Sequence, residues 1–400
     1  MTPFDRCGLL DGIAVLDLSQ GVAGPYCTRL MAGLGADVVK VEPPGTGDVT
    51  RRLGPFYQDD PHPEKSVPFL YLNTGKRSVT LDLETASGRH ILRRLASTTH
   101  LIVESFPPGT LDGWGLGYAD LERENPALVL CSVTPFGQTG PYSRFQATEM
   151  VAQAASGLMY ITGDPEREPV KTGGHLAGHA AGQTAFLGAV VALYHALMTG
   201  QGQHVDISEV EASTDLLDRW MMGPFQGQVM RRLGKRHQVG YPHELFPCQD
   251  GHAYICNQPS SWSVMTALLG RPDLDTPRYQ EPKGRMADRA ALDPVILEWT
   301  RQRTKKEVFQ KGQAHRMAFG YAATVEDLVN SEQLQERQFF VEVDHPCVGA
   351  HQYPGPPFRS SAAPWRHGRA PLLSEHTAEV LLPLGYSRQD LVLLRAQGVI

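Results

Sequence analysis

Five short apolar runs, separated by stretches of helical character, constrain this chain more than any other feature. They are Ile13 to Leu18, Val38 to Glu42, Leu101 to Glu104, Leu128 to Val133 and Gln203 to Ile207. Each has strand length, and the helical stretch from Ala86 to Ser97 separates two of them. Such a βαβ rhythm implies a parallel sheet covered by helices, because parallel neighbours need a crossover connection. The first unit is a strand, the turn SQGVAGPY, a helix from Cys27 to Leu34, and a second strand. From Glu149 to Tyr160 and Gly182 to Leu197, small residues recur at spacings that suit closely packed helices, with Gly200 and Gly202 ending the second. The expected class is α/β, with Rossmann-like βα units in a large domain.

After about Asp215 the pattern becomes turn-rich, and a second, α+β domain is expected. A hairpin is expected around Gln249, Asp250 and Gly251, then helices at Trp262 to Leu269, Leu292 to Thr300 and Thr304 to Gln313. Helical segments at Thr377 to Leu384 and Arg388 to Gln397 close the chain. Between them, proline-rich His345 to Pro371 is expected to run extended over another surface.

A chain of 400 residues with 41% hydrophobic content exceeds the usual size of one domain. Its net charge of -6 disfavours nucleic acid as a partner, since phosphate backbones demand a concentrated basic face. No span of about 18 uncharged apolar residues and no signal-peptide pattern stand out, so neither membrane insertion nor export is expected and the cytoplasm is the expected compartment. Cys7, Cys27, Cys131, Cys248, Cys256 and Cys347 lack CxxC spacing and fit reduced thiols. His175 and His179 lie four apart with no third ligand near them in sequence, so no metal is expected.

Local motifs admit plain readings. GVAGPY followed by Glu42 imitates a dinucleotide turn, but it lacks a third glycine and carries Pro25 where free amides are needed. A tight strand-to-helix turn is the simpler reading, as a structural loop is for GQTGP at Gly137 to Pro141. Lys76 and Arg77, in NTGKRS, could pair with phosphates or sit solvated. His179, in KTGGHLAGHAAG, could be an interior histidine, yet Gly173, Gly174, Gly178 and Gly182 would let a ligand approach its ring.

Five longer segments carry a resemblance: LLDGIAVLDLSQGVAGPYCTRLMAGLGADVVKVEPPGTGD, LNTGKRSVTLDLET, VESFPPGTLDGWGLGY, NPALVLCSVTPFGQTGPY and TGQGQHVDISEVEA. Together they resemble the class III CoA-transferases, also called the CaiB/BaiF family, and the likeness continues to LLPLGYSRQDLVLLRAQGVI. The resemblance implies a large domain from 1–220 completed by a return segment at 325–400, a small domain at 221–324, and two chains interlocked as a dimer. It also implies a CoA thioester and a carboxylic acid as substrates, with no permanently bound cofactor.

In that family an aspartate on the segment matching GHLAGHAAG attacks an acyl-CoA and passes through an acyl anhydride and an enzyme thioester. Here the position holds His179, which cannot form those intermediates. The resemblance further implies CoA contacts from Val22, Ala23, Leu81, Asp82, Ser105 and Phe106, with Lys76, Arg77, Arg144 or Lys171 as compensating charge. Pro43, Glu84, Ser105, Gly113 and Gln146 stand where relatives often present nitrogen-rich contacts, which implies weakened phosphate binding. The histidine–aspartate pair of the racemase branch is missing too: Thr148 and His179 occupy its positions. Neighbouring Glu149 is expected to be structural rather than a replacement base. QPSSWS, Gln258 to Ser263, is a candidate lid in which Trp262 restricts motion or fills the acyl site.

Three functions are compatible with this pattern. The first is the non-nucleophilic subunit of a heteromeric CoA-transferase, paired with an aspartate-bearing homologue, a homodimer being the other assembly expected. The second is a self-sufficient CoA-thioester lyase, isomerase or hydrolase with His179 as base. The third is a non-catalytic CoA-binding or scaffold protein.

Overall fold

The computed structural model describes residues 8–400 except 228, 230, 237–239 and 259–260. Six strands form one parallel sheet: β1 (Ala14–Asp17), β2 (Asp37–Glu42), β3 (Arg77–Thr80), β4 (Leu101–Glu104), β5 (Val129–Thr134) and β6 (Gln203–Ser208). Their spatial order is β3-β2-β1-β4-β5-β6, so the winding reverses between β1 and β4. Ligand clefts form outside the carboxyl ends of strands at such a switch point.

The expected strands are all present, but the helix edges moved. Helix α1 (Ala23–Gly33) begins before Cys27, because Pro25 sits in a first turn where its missing N–H costs nothing. Helix α2 (Ala86–Ala96) is capped by Thr85, whose hydroxyl accepts the Gly88 N–H at 3.0 Å. Helix α3 (Glu149–Ala155) stops short of Tyr160, since Gly157 turns the chain at φ 88°. Helix α4 (Leu176–Thr199) starts six residues before the expected Gly182 and ends at Gly200 in the left-handed conformation. Ser208 closes β6 and caps α5 (Glu209–Asp215).

Alternate side chains of the sheet feed two cores. Leu16, Val39, Val79, Ile102 and Leu130 pack with α2 and the C-terminal helices Thr377–Leu381 and Arg388–Ala396. Val15, Val38, Leu101, Val129 and Cys131 face α1 and α4. Contrary to expectation, α4 is long and apolar enough to cross a membrane by length and composition. Its alanines at 181, 185, 189, 192 and 196 lie in that second core, which accounts for the buried half of the run.

The chain forms two compact units. The first holds the sheet and comprises residues up to Leu158, Lys171–Met222 and Glu336–Ile400. In it, the segment expected to run extended instead pairs Gly349–Pro354 with Phe340–His345 as an antiparallel hairpin. The second unit, Met159–Val170 and Gly223–Gln335, contains a three-stranded antiparallel sheet and a core around Trp262, Ile296 and Trp299. It differs from the expected span 221–324 by continuing to Gln335 and by including 159–170. Arg232 fastens that added segment, donating to the carbonyls of Tyr160, Asp164 and Arg167.

Candidate active site

The loop from Leu18 to Val22, between β1 and α1, lies on a sealed network of charge. Asp17 accepts from Ser19 Oγ at 2.5 Å, Thr28 Oγ1 at 2.7 Å and Lys76 Nζ at 2.9 Å. Lys40 Nζ donates to the Ser19 carbonyl at 2.8 Å and pairs with Asp48 at 2.8 Å. Burial alone would push Asp17 up, but the ammonium groups of Lys40 and Lys76 reverse this and hold it far below the usual range. Burial pulls Lys76 down to about 8 despite its pairing with Asp17. Desolvation would lower Lys40 as well, and Asp17 and Asp48 instead raise it.

Lys76 therefore does not meet phosphates. Its ammonium is fully buried and donates to Asp17, the Pro25 carbonyl and Asn73 Oδ1, each at 2.9 Å. Arg77 is likewise occupied, by Asp37 and Glu379. Of the other charges proposed for compensation, Lys171 donates to the carbonyls of Thr172 and Gly174, while Arg144 is exposed. Asp17 and the Pro25 carbonyl could not be recognised from sequence as partners of Lys76, because they come from a remote segment; Asn73 lies in the same motif.

A cleft of about 460 Å³ opens at the carboxyl ends of β1 to β4, with Leu18, Gln20, Leu81, Asp82, Phe106 and Trp114 among its walls. Ser105 stands behind it and accepts the Gln20 N–H at 2.9 Å. Leu81, Asp82 and Phe106 therefore share one cleft, and Ser105 bonds the backbone of its Gln20 wall. Pro43 and Glu84 also line the cleft, which contains no lysine or arginine among its lining residues. Arg51 is instead paired with Glu42 and Glu64.

His179 lies in the first turns of α4, half-buried. Its ring meets Tyr26 edge-on, with centroids 4.5 Å apart, and Tyr71 at 6.4 Å. Close approach of α4 to α1 sets this position. A Cβ at Gly182 would stand 2.6 Å from the Ala23 carbonyl, and one at Gly178 would stand 3.0 Å from Val22. Val22 and Ala23 therefore support the α4 turn, and neither lines the cleft. Burial lowers the His179 pKa, His175 and Arg29 lower it further, and Glu149 opposes them. The balance favours the neutral imidazole.

Glu149 accepts the N–H groups of Ala177 at 2.8 Å and Gly178 at 3.1 Å, and Gln153 donates to it at 2.6 Å. It thereby satisfies the amides at the start of α4, where a carboxylate also complements the helix dipole. This agrees with the structural role expected for it. Sequence reasoning missed Tyr26, Tyr71, Arg29, Lys40 and Asp48. None carries a local motif, though apolar runs at strand ends could have pointed to the buried partners of Lys40.

The lid reading does not survive for Trp262. Its ring is fully buried in the second unit's core, and its N–H donates to the Leu274 carbonyl at 2.8 Å. Pro259 and Ser260 of that segment lie outside the described residues. Among the described residues no cluster of three or more His, Cys, Asp or Glu could hold a metal.

Comparison with known proteins places this geometry. The sequence profile of CoA-transferase family III matches residues 10–377. The chain is 35% identical to succinyl-CoA:(R)-benzylsuccinate CoA-transferase subunit BbsE of Thauera aromatica, over 96% of this chain and 97% of that protein. It is also 35% identical to formyl-CoA:oxalate CoA-transferase of Streptomyces avermitilis, over 98% and 99%. A crystal structure of a CaiB/BaiF family protein from Brucella suis superposes with a TM-score of 0.85, at 32% identity over 95% of this chain and 100% of that one.

Proposed function

This chain belongs to CoA-transferase family III, and we propose that it is the non-nucleophilic subunit of a heteromeric acyl-CoA:carboxylate CoA-transferase. His179 carries the proposal. An imidazole occupies the turn at which the family resemblance implies an aspartate, and the neighbouring carboxylate, Glu149, is engaged by two backbone amides and Gln153. A mixed anhydride followed by an enzyme thioester requires a free carboxylate, so a partner chain of the same fold supplies it.

Two further observations support the reading. The relative from Thauera aromatica is itself named a subunit. In addition, α4 exposes Leu187, Val191, Tyr194 and Met198, which repeat at three- and four-residue spacing along one face. An apolar stripe of this kind suits a second chain. On this reading the cleft at the strand ends takes the CoA portion of the thioester, with Leu81, Asp82, Ser105 and Phe106 as its contacts. CoA and acyl-CoA are then substrates and not resident cofactors.

The test is to purify the chain alone and together with an aspartate-bearing homologue, then follow transfer from acyl-CoA to carboxylic acids. Transfer is expected from the pair only, with hydroxylamine-sensitive mass added to the partner and none to this chain. Equal transfer by the lone chain would refute the subunit reading. If the lone chain consumes an acyl-CoA and His179→Ala abolishes that turnover, the neutral imidazole is a base and the chain is a self-sufficient enzyme.

A further inference from the structure

Three adjacent strands carry a chain of polar groups that the reaction just proposed does not use. Glu104 ends β4, Ser132 lies opposite it in β5, and His204 projects from β6 on the same face. His204 Nε2 lies 2.9 Å from Ser132 Oγ, and Ser132, paired with Glu104 across the two strands, favours the charged form of its carboxyl. Glu104 Oε2 accepts the Phe106 N–H at 2.6 Å. Glu104 and Ser132 are buried, whereas His204 is exposed and stacks on Tyr118. The chain thus runs from the sheet edge to Phe106, which packs edge-on against Trp114 in the cleft wall.

We infer that Glu104 is a positioning residue of the cleft, fixing the Phe106 wall against which a CoA thioester lies, and that Ser132 and His204 couple this hold to proton uptake. The inference rests on the cleft being the CoA site. Burial pushes the Glu104 carboxyl up to about 7, against the bonds from Ser132 and the Phe106 N–H that favour its charge; Asp206 and Asp112 raise it further. On the opposite face of β5, Cys131 stays a thiol, since burial pushes it up to about 12. An ionised carboxylate holds an amide more tightly than a neutral acid does. Acidification through neutrality therefore loosens the wall.

Calorimetric titration with CoA across about pH 6 to pH 8 tests this, comparing the intact chain with Glu104→Gln. Titration of the CoA phosphates is common to both proteins and cancels in the ratio of their Kd values. The ratio is expected near unity at the acid end and roughly three- to tenfold, Glu104→Gln weaker, at the alkaline end. A ratio that does not change with pH overturns the inference. His204→Gln should move the midpoint of the rise; an unmoved midpoint removes His204 from the chain.

Trp114 gives a reading that needs no ligand. Its emission should change through neutrality in the intact chain, and this component should vanish in both Glu104→Gln and Trp114→Phe. Loss of CoA binding with this transition intact would sink the CoA assignment and leave the wall's proton linkage standing. Absence of the transition from the intact chain would sink the inference itself.

Discussion

The β1–α1 loop and the first turns of α4 touch through Val22 and Gly178, yet they are held in opposite ways. The loop sits on charges that are paired and sealed: Asp17, Lys40, Lys76 and Asp48 are each buried and bonded within the same network. The α4 turn depends on one carboxylate, Glu149, and leaves an uncharged imidazole half-open beside two tyrosines. Sealed charges fix geometry but cannot exchange protons with a ligand. The softer region is where chemistry can change without loss of the fold, and there a histidine stands at the position implied for an aspartate.

The largest expected effect is on the sealed side. Lys40→Met removes the cation that bonds the Ser19 carbonyl and Asp48, leaving a buried carboxylate without its ion pair. Breaking a buried pair in this way costs about 3–5 kcal/mol. Urea unfolding should show that loss as a lower midpoint. A variant within about 1 kcal/mol of the parent would show that pairing does not hold this loop, and the contrast would fail.

Glu149→Gln should cost less, about 1–2 kcal/mol, because the amide oxygen still accepts one of the two N–H groups at the start of α4. It has a second, diagnostic consequence. Glu149 is the charge that raises the His179 pKa against burial, His175 and Arg29. Its removal should shift the imidazole titration to lower pH, measurable by NMR of a His179-assigned ring resonance. An upward shift would show that Glu149 does not act electrostatically on this ring.

How far the sequence disclosed these two regions follows from their physics. The strands were legible because both faces of a parallel sheet are covered, so each strand is an apolar run. Leu81, Asp82, Ser105 and Phe106 were named only through the family resemblance; the winding reversal places Leu81, Asp82 and Phe106 in one cleft. Lys76 was placed wrongly among phosphate contacts because a lysine beside a strand looks the same whether its ammonium faces water or Asp17. Only folding brings Asp17 and the Pro25 carbonyl to it. The start of α4 was placed too late for a related reason. His175 to Ala181 has few strong local helix signals, and a carboxylate from α3, remote in sequence, caps that turn. Trp262, after a proline and two serines, was read as a side chain that restricts a lid or fills the acyl site. Its burial depends on Ile296, Trp299 and Leu274, which no local pattern predicts.

The smallest expected effect belongs to His179 itself, and its sign follows from linkage. Its folded pKa lies below the unfolded value, so on acidification the unfolded chain takes the proton first. Stability supplied by the neutral ring is present above the unfolded pKa and declines as pH falls toward and through the folded one. His179→Gln cannot take that proton, and its stability should fall less between about pH 7 and pH 5. Partial exposure limits the difference to a few tenths of a kcal/mol. Other histidines with lowered pKa values, His204, His345 and His367, titrate in both proteins and cancel in the comparison. Paired urea unfolding at the two pH values would read the difference. A variant that lost more stability on acidification than its parent would show the ring to be favourably charged in the fold, and the soft side of the contrast would then be held by charge after all.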